Sequence, residues 1–260
     1  MDYAWNEKPA PSPVHYRHWR DIPYAEGDDD PMRTLWLSCP QKGTGFATVV
    51  WFHGGGFAQD GHECPPVLYN GQYAVVEPRY RLSPQVKAPA YHQDGAAAIG
   101  WVLTNIASYG GDPQKVFVGG MSAGGYLAAI VAMDPSWLAP YGHAPQDVAG
   151  LLLTSGQMTT HFQVKADMGD PRSRFQPVVD PLAPLAHLSP DLPPILLVTG
   201  DPACDIPARA EENALMAASL RAMGHPCVEH HQLSGHDHGG AFRSCDFLIE
   251  RFLDKILADG

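Results

Sequence analysis

From residue 47 onward, short unbroken runs of β-branched and aromatic residues alternate with longer runs whose apolar residues recur at helical spacing. A strand that is apolar along its whole length needs cover on both faces, and strands joined through helices become parallel neighbours. Few architectures satisfy both demands. The expected fold is α/β, a mostly parallel central sheet with helices on both faces. The strands are read at residues 47–52 (ATVVWF), 73–77 (YAVVE), 115–119 (KVFVG), 148–154 (VAGLLLT), 195–200 (ILLVTG) and 228–233 (VEHHQL). Helices are read at 90–108, 123–133, 208–223 and, as one amphipathic piece, 241–257. Ahead of the alternation, residues 33–39 (RTLWLSC) alternate like a half-buried strand, residues 19–25 form a weaker strand, and Glu26 to Asp30 makes an acidic turn.

No linker-like stretch breaks the pattern, so residues 1–260 are read as a single domain. The exception to regularity is 155–192, which carries five prolines in PVVDPLAP and its surroundings. Loops this long in compact domains are usually functional. Following a strand, this one is expected over the carboxyl ends of the sheet, where open α/β folds bind ligands; a packed surface excursion is the competing reading.

The formal charge of −11 makes the chain a poor polyanion binder, so nucleic acid is not an expected partner. No apolar run approaches the ~20 residues a membrane helix needs. The first residues, MDYAWNEKPAP, contain neither the basic nor the apolar region of a secretory signal, which places the expected location in the cytoplasm. Cys39, Cys64, Cys204, Cys227 and Cys245 form an odd set without a C-x-x-C pair, read as free and mostly buried thiols. His230 and His231 point to opposite faces of a strand, and no H-E-x-x-H motif or carboxylate cluster accompanies them. No metal and no cofactor are expected.

The sequence Gly120-Met-Ser-Ala-Gly124 lies between a strand and a helix. A serine nucleophile on so sharp a turn needs small residues two before and two after it, and the turn presents Ser122 at a helix N-terminus. A second signal is His53-Gly-Gly-Gly-Phe57, directly after the strand ATVVWF. Three glycines there let backbone amides face a point where negative charge develops, and Gly55, Gly56 and Ala123 are the expected oxyanion donors. His53 is read as an orienting residue of this loop rather than a base. The last strand is followed by Gly235-His236-Asp-His238, with two candidate bases. The loop after ILLVTG offers two acids, Asp201 and Asp205.

The order serine, acid, histidine after successive strands resembles the α/β-hydrolase superfamily, in particular the small HGGG-type carboxylesterases related to hormone-sensitive lipase, kynurenine formamidase and bacterial feruloyl and acetyl-xylan esterases. The resemblance runs from about residue 47 to 240. It includes HGGGF, Tyr80-Arg-Leu-Ser-Pro84 with Pro89 and Asp94, Gly110-Gly-Asp112-Pro, GMSAGG and GHDHG. The family's final Gly-x-x-His falls on Gly235 and His238, which favours His238 as base. The family's acid position, three beyond the strand-ending glycine, falls here on Ala203; the Asp-Ile-Pro context favours Asp205 with a two-residue shift, over Asp201.

The resemblance implies a serine hydrolase that cleaves small-molecule carboxylic esters through an acyl-enzyme, without a cofactor. Phe57, Met121, Trp137, Met158, His161 and Phe162 are candidates for the substrate pocket, with ordinary packing as the competing role. About 46 residues before the HGGG strand leave little room for an N-terminal cap, which suggests an open site for short-chain or aromatic acids rather than long lipid chains. Kynurenine-formamidase-like amide hydrolysis and a non-catalytic hydrolase-fold binding protein are the alternatives, and a homo-oligomer is left open. Arg79 and Arg81 are expected to pair with Glu77 or Asp94.

Overall fold

The computed structural model describes residues 16–25, 27 and 29–259. The first fifteen residues, together with Glu26 and Asp28 of the acidic turn, lie outside the described residues. The strands are β1 (Tyr16–Pro23), β2 (Thr34–Pro40), β3 (Phe46–Phe52), β4 (Ala74–Pro78), β5 (Gly111–Met121), β6 (Gly150–Thr154), β7 (Ile195–Thr199) and β8 (Val228–Gln232). The helices are α1 (Ala90–Asn105), α2 (Ala123–Met133), α3 (Pro135–Leu138), α4 (Phe162–Asp167), α5 (Arg209–Ala222), α6 (His238–Arg243) and α7 (Asp246–Asp259).

All eight strands form one sheet in the order β1-β2-β4-β3-β5-β6-β7-β8. β1 and β2 run antiparallel, and β2 pairs antiparallel with β4; every pairing from β4 to β8 is parallel. The period of two along each strand divides the apolar residues between two layers. Val50 and Phe52 of β3, Leu151 and Leu153 of β6 and Leu197 of β7 pack with α1, α2 and α5. Val49, Trp51, Leu152, Leu196 and Val198 face the opposite way, where Ile249, Phe252 and Leu253 of α7 cover them. These three, at helical spacing, are fully buried; burial of each such side chain is worth about 1.5–3 kcal/mol.

Three features differ from the sequence reading. The first long helix stops at Asn105 and tightens into a short 3-10 turn, Ile106–Tyr109, closed by Gly110 at φ 97°. The final helix is two pieces. α6 begins at His238 with Asp237 as its cap, whose carboxylate accepts from the Gly240 amide at 2.6 Å; Ser244 leaves helical geometry before α7 starts. The third is a matter of detail that the sequence left open, how the segment 155–192 is fastened to the rest. Glu212 of α5 accepts from the Met158 amide (2.9 Å), the Thr159 amide (3.1 Å) and the Thr159 hydroxyl (3.0 Å). The Tyr126 hydroxyl donates to the Leu182 carbonyl at 2.7 Å. Among the described residues, no helix is long and apolar enough to cross a membrane.

Chain topology positions the site. The chain passes from β3 to β4 on one side and from β5 to β6 on the other, so the connections after these adjacent strands run in opposite directions. The loops after β3 and β5 therefore splay apart and open a crevice at their carboxyl ends. The register sets Phe52 beside Gly120 and Met121 beside Thr154, which brings the glycine loop next to Ser122.

Candidate active site

Ser122 links β5 to α2 at φ 57° and ψ −115°, a left-handed conformation that a residue with a Cβ adopts at a cost of about 1–3 kcal/mol. The Ser122 amide donates to the Thr154 carbonyl at 2.9 Å and holds the turn. The glycines around it are obligatory by contact. A Cβ on Gly124 would lie 2.1 Å from the Phe52 carbonyl oxygen, and one on Gly120 would lie 2.6 Å from the same oxygen. The helix start thus presses on the end of β3, which aims the serine outward.

The Ser122 hydroxyl lies 2.8 Å from Nε2 of His238, and Nδ1 of the same ring lies 2.7 Å from Oδ1 of Asp205. Asp205 has a fully buried side chain. Its Oδ1 also accepts from the Ile206 amide at 2.7 Å; its Oδ2 accepts from the Gly200 amide at 2.9 Å and the Ser155 hydroxyl at 3.1 Å. Burial alone would raise the carboxyl's pKa. The His238 hydrogen bond and the two amides outweigh burial and hold it below the usual aspartate range.

Asp201 occupies a different place. Its Oδ2 accepts from the Gly235 amide (2.8 Å) and the Ser234 hydroxyl (3.3 Å), and its Oδ1 from the Ala203 amide (2.9 Å). It ties the acid loop to the histidine loop without touching either imidazole. His236 hydrogen-bonds the Ser234 carbonyl through Nδ1 at 3.0 Å and stays outside the Ser122–His238–Asp205 line. Gly200 is what lets the two loops meet, because a Cβ there would sit 2.5 Å from the His236 carbonyl oxygen and 3.0 Å from Oδ2 of Asp205.

The glycine loop faces the same point. Gly55 has φ 98°, and a Cβ on it would lie 2.5 Å from the Gln59 carbonyl oxygen. Among the described residues, the amides of Gly55, Gly56 and Ala123 donate to no acceptor of the protein. His53 supports the loop: Nδ1 donates to the Gly54 carbonyl at 2.7 Å, and the ring stacks on Tyr80 at 4.4 Å. Tyr80 in turn donates to the His53 carbonyl at 2.7 Å. Burial lowers the His53 pKa, which suits a neutral orienting ring.

Two cavities meet at Ser122. The larger, about 490 Å³, is lined by His161, Phe162, Gln163, Arg174 and Arg209 as well as Gly55, Gly56 and His238. The smaller, about 250 Å³, includes Met121, Asp60 and Glu63 in its wall. Met121, His161 and Phe162 line these two cavities. Phe57, Trp137 and Met158 do not. Phe57 is buried between Tyr91 at 4.1 Å and His161 at 4.8 Å, Met158 is buried in the core, and Trp137 stacks on His92 at 5.4 Å behind α2. Phe57, against His161, and Met158 use their apolar surface where the excursion meets the core.

Two further expectations need correction. Arg81 pairs with Asp94 at 2.8 Å, but Arg79 pairs with Asp60, because Glu77 receives the Tyr69 hydroxyl at 2.6 Å. All five cysteines are free, yet only Cys39 and Cys245 are buried, and Cys204 is exposed on the acid loop. Among the described residues, no group of three or more His, Cys, Asp or Glu side chains is placed to hold a metal.

The sequence reading missed Arg209, the first residue of α5, which is 2% exposed and lines the larger cavity. One signal was available: a cation in the first turn of a helix opposes the helix dipole, so its presence there points to a task outside the helix. Arg174 carried no such signal and reaches the cavity through the fold of 155–192.

Sheet, strand order and crevice define an α/β-hydrolase, and Ser122, His238 and Asp205 form its hydrogen-bonded line. The chain belongs to the prolyl oligopeptidase family, whose model matches residues 93–254, more than half of it. The BD-FAE model matches residues 35–137. Carboxylesterase NlhH of Mycobacterium tuberculosis (strain ATCC 25618 / H37Rv) is 37% identical over 118 residues, which cover 44% of this chain and 36% of that protein. Esterase LipQ of the same strain is 27% identical over 278 residues, covering 96% of this chain and 63% of LipQ. The chain thus spans between about a third and just under two thirds of the length of these two relatives. Esterase B from Lactobacillus rhamnosis superposes with a TM-score of 0.74 at 20% identity, over 97% of this chain and 90% of that one. A bacterial heroin esterase superposes at 0.69 with 24% identity, over 97% and 85%. At these identities the likeness to the solved structures is one of fold.

Proposed function

We propose that the chain is a serine carboxylesterase acting on small-molecule esters of short-chain or aromatic acids, with residues 1–260 as one catalytic unit and 155–192 as the cover of its site. The observation that carries this reading is the pair of contacts at 2.8 and 2.7 Å that joins Ser122 through His238 to Asp205. Ser122 Oγ attacks the ester carbonyl while Nε2 of His238 takes its proton. The carbonyl oxygen becomes an oxyanion against the amides of Gly55, Gly56 and Ala123. Collapse of the tetrahedral intermediate expels the alkoxide, which receives the proton from His238. Water, deprotonated by the same nitrogen, then attacks the acyl-enzyme and releases the acid and Ser122. Asp205 holds the proton of His238 on Nδ1, so that Nε2 is free to accept.

The esterase names of the relatives support this reading. A cytoplasmic setting is part of the proposal, supported by five cysteines that remain unpaired. The test is a panel of 4-nitrophenyl acetate, butyrate and octanoate, a feruloyl ester, N-formylkynurenine and an aminoacyl 4-nitroanilide, with a fluorophosphonate probe for Ser122. Ester turnover falling from butyrate to octanoate, with covalent labelling of Ser122, is expected. Turnover of the formamide or the anilide above that of every ester would overturn it.

A further inference from the structure

The larger cavity beside Ser122 holds two guanidinium groups, of Arg209 and Arg174, that form no ion pair with a carboxylate among the described residues. Arg209 is almost wholly buried. Its Nη1 donates to the Ser155 carbonyl at 2.5 Å, and among the described residues no carboxylate forms an ion pair with it. The two acids nearest to it are occupied elsewhere. Asp205 is held by His238, Ile206 and Gly200; Glu212 is held by Met158 and Thr159. Burial lowers the Arg209 pKa only to about 10, so the group stays charged.

Arg174 enters the same cavity from the excursion. Its guanidinium lies 4.6 Å from the centre of the Phe162 ring, and that of Arg209 lies 5.9 Å from the same ring. The neighbouring Arg172 forms an ion pair with Asp170 at 2.7 Å, whereas among the described residues Arg174 has no such partner. An aromatic face attracts cations but neutralises neither of them. The wall of the smaller cavity on the other side of Ser122 holds Glu63 and Asp60, the latter paired with Arg79.

Glu212 and Asp205 offset the Arg209 charge at longer range, but a buried guanidinium that meets no carboxylate directly is unfavourable, and the arrangement persists at a site where a ligand can supply a direct partner. We propose that Arg209 and Arg174 form a carboxylate-binding subsite, and that the substrates are esters carrying a carboxylate on one of their two halves. This inference rests on the esterase reading above. Arginine suits the task because its planar donors match a carboxylate with two parallel hydrogen bonds.

Two matched pairs of esters test it. 4-Nitrophenyl hemiglutarate against its methyl ester places the charge on the acyl half; 4-acetoxybenzoate against its methyl ester places it on the alcohol half. One pair is expected to show a preference of about tenfold or more in kcat/KM for the anionic member, the size expected of one charge-assisted hydrogen bond. The pair that shows it identifies the half. The ratio should approach one in Arg174→Gln, whose side chain is exposed, and in Arg209→Gln, with Arg209→Lys keeping part of it. Equal rates within both pairs, or a preference that survives both glutamine variants, would overturn the subsite while leaving esterase activity standing. If none of the four esters turns over, the esterase reading fails instead, and titration calorimetry with glutarate and 4-hydroxybenzoate decides the subsite. Saturable binding weakened in the arginine variants supports it, and no binding overturns it.

Discussion

Asp205 and His238 stand 33 residues apart in the chain and 2.7 Å apart in space, and the approach is possible because Gly200 has no side chain to separate them. The carboxylate arrives fully buried and already held by two backbone amides. Its orientation toward Nδ1 is therefore set before any substrate enters. Asp201, four residues earlier, carries out the complementary task of fastening the loop that bears the histidine.

Asp205→Asn should lower kcat by about 10⁴, since an amide favours the wrong imidazole tautomer. Asp201→Asn should leave kcat within about tenfold and reduce stability by roughly 1–2 kcal/mol through weakened bonds to Gly235, Ser234 and Ala203. Steady-state kinetics and chemical denaturation on both variants separate the roles. A crippled Asp201 variant beside an active Asp205 one would move the acid to Asp201.

Ser122→Ala should remove about 10⁶ of kcat and all fluorophosphonate labelling. The fold should survive, because alanine occupies the same left-handed position with no larger side chain. Retention of more than a few per cent of activity in a clean preparation would contradict the assignment.

His238→Ala should be nearly as damaging as loss of Ser122, whereas His236→Ala should act on KM or stability more than on kcat. The Ser122 hydroxyl contacts only the first of these rings. A reversed ranking in turnover measurements would show that His236 is the base.

Acid should destabilise the protein partly through Asp205. Its carboxyl is held below the unfolded value of about 3.9, so its stabilisation is complete above that value and is lost as pH falls through the depressed folded pKa. Thermal unfolding followed from pH 6 to 2.5 should show a shallower decline for Asp205→Asn than for the unsubstituted protein. Parallel curves would contradict the linkage.

Gly124→Ala and Gly56→Ala should differ sharply. The first drives a methyl group to 2.1 Å from the Phe52 carbonyl oxygen, a backbone clash worth roughly 3 kcal/mol or more. The second meets open space and bears only the left-handed penalty at φ 63°, about 1–2 kcal/mol. Equilibrium unfolding in urea measures both.

Local chemistry made much of this protein legible before any tertiary information. The unbroken apolar strands around Val50, Leu152 and Leu197 dictated a sheet buried on both faces, and a serine between Gly120 and Gly124 dictated a sharp strand-to-helix turn. Both depend on residues close in sequence, where sterics and periodicity act directly. The resemblance favoured Asp205 over Asp201 and His238 over His236, but the hydrogen-bonded line that joins the favoured pair depends on how two loops cross at Gly200, a contact between residues distant in sequence. The same holds for the cavity wall. Phe57 and Met158 turned inward because apolar surface gains most from burial wherever the excursion meets the sheet. Arg209 and Arg174 line the cavity beside the nucleophile because the folding of 155–192 and the start of α5 place them there. Chain order prescribed which chemistry the residues could carry; the distances that combine them came from long-range packing, which depends on the whole chain at once.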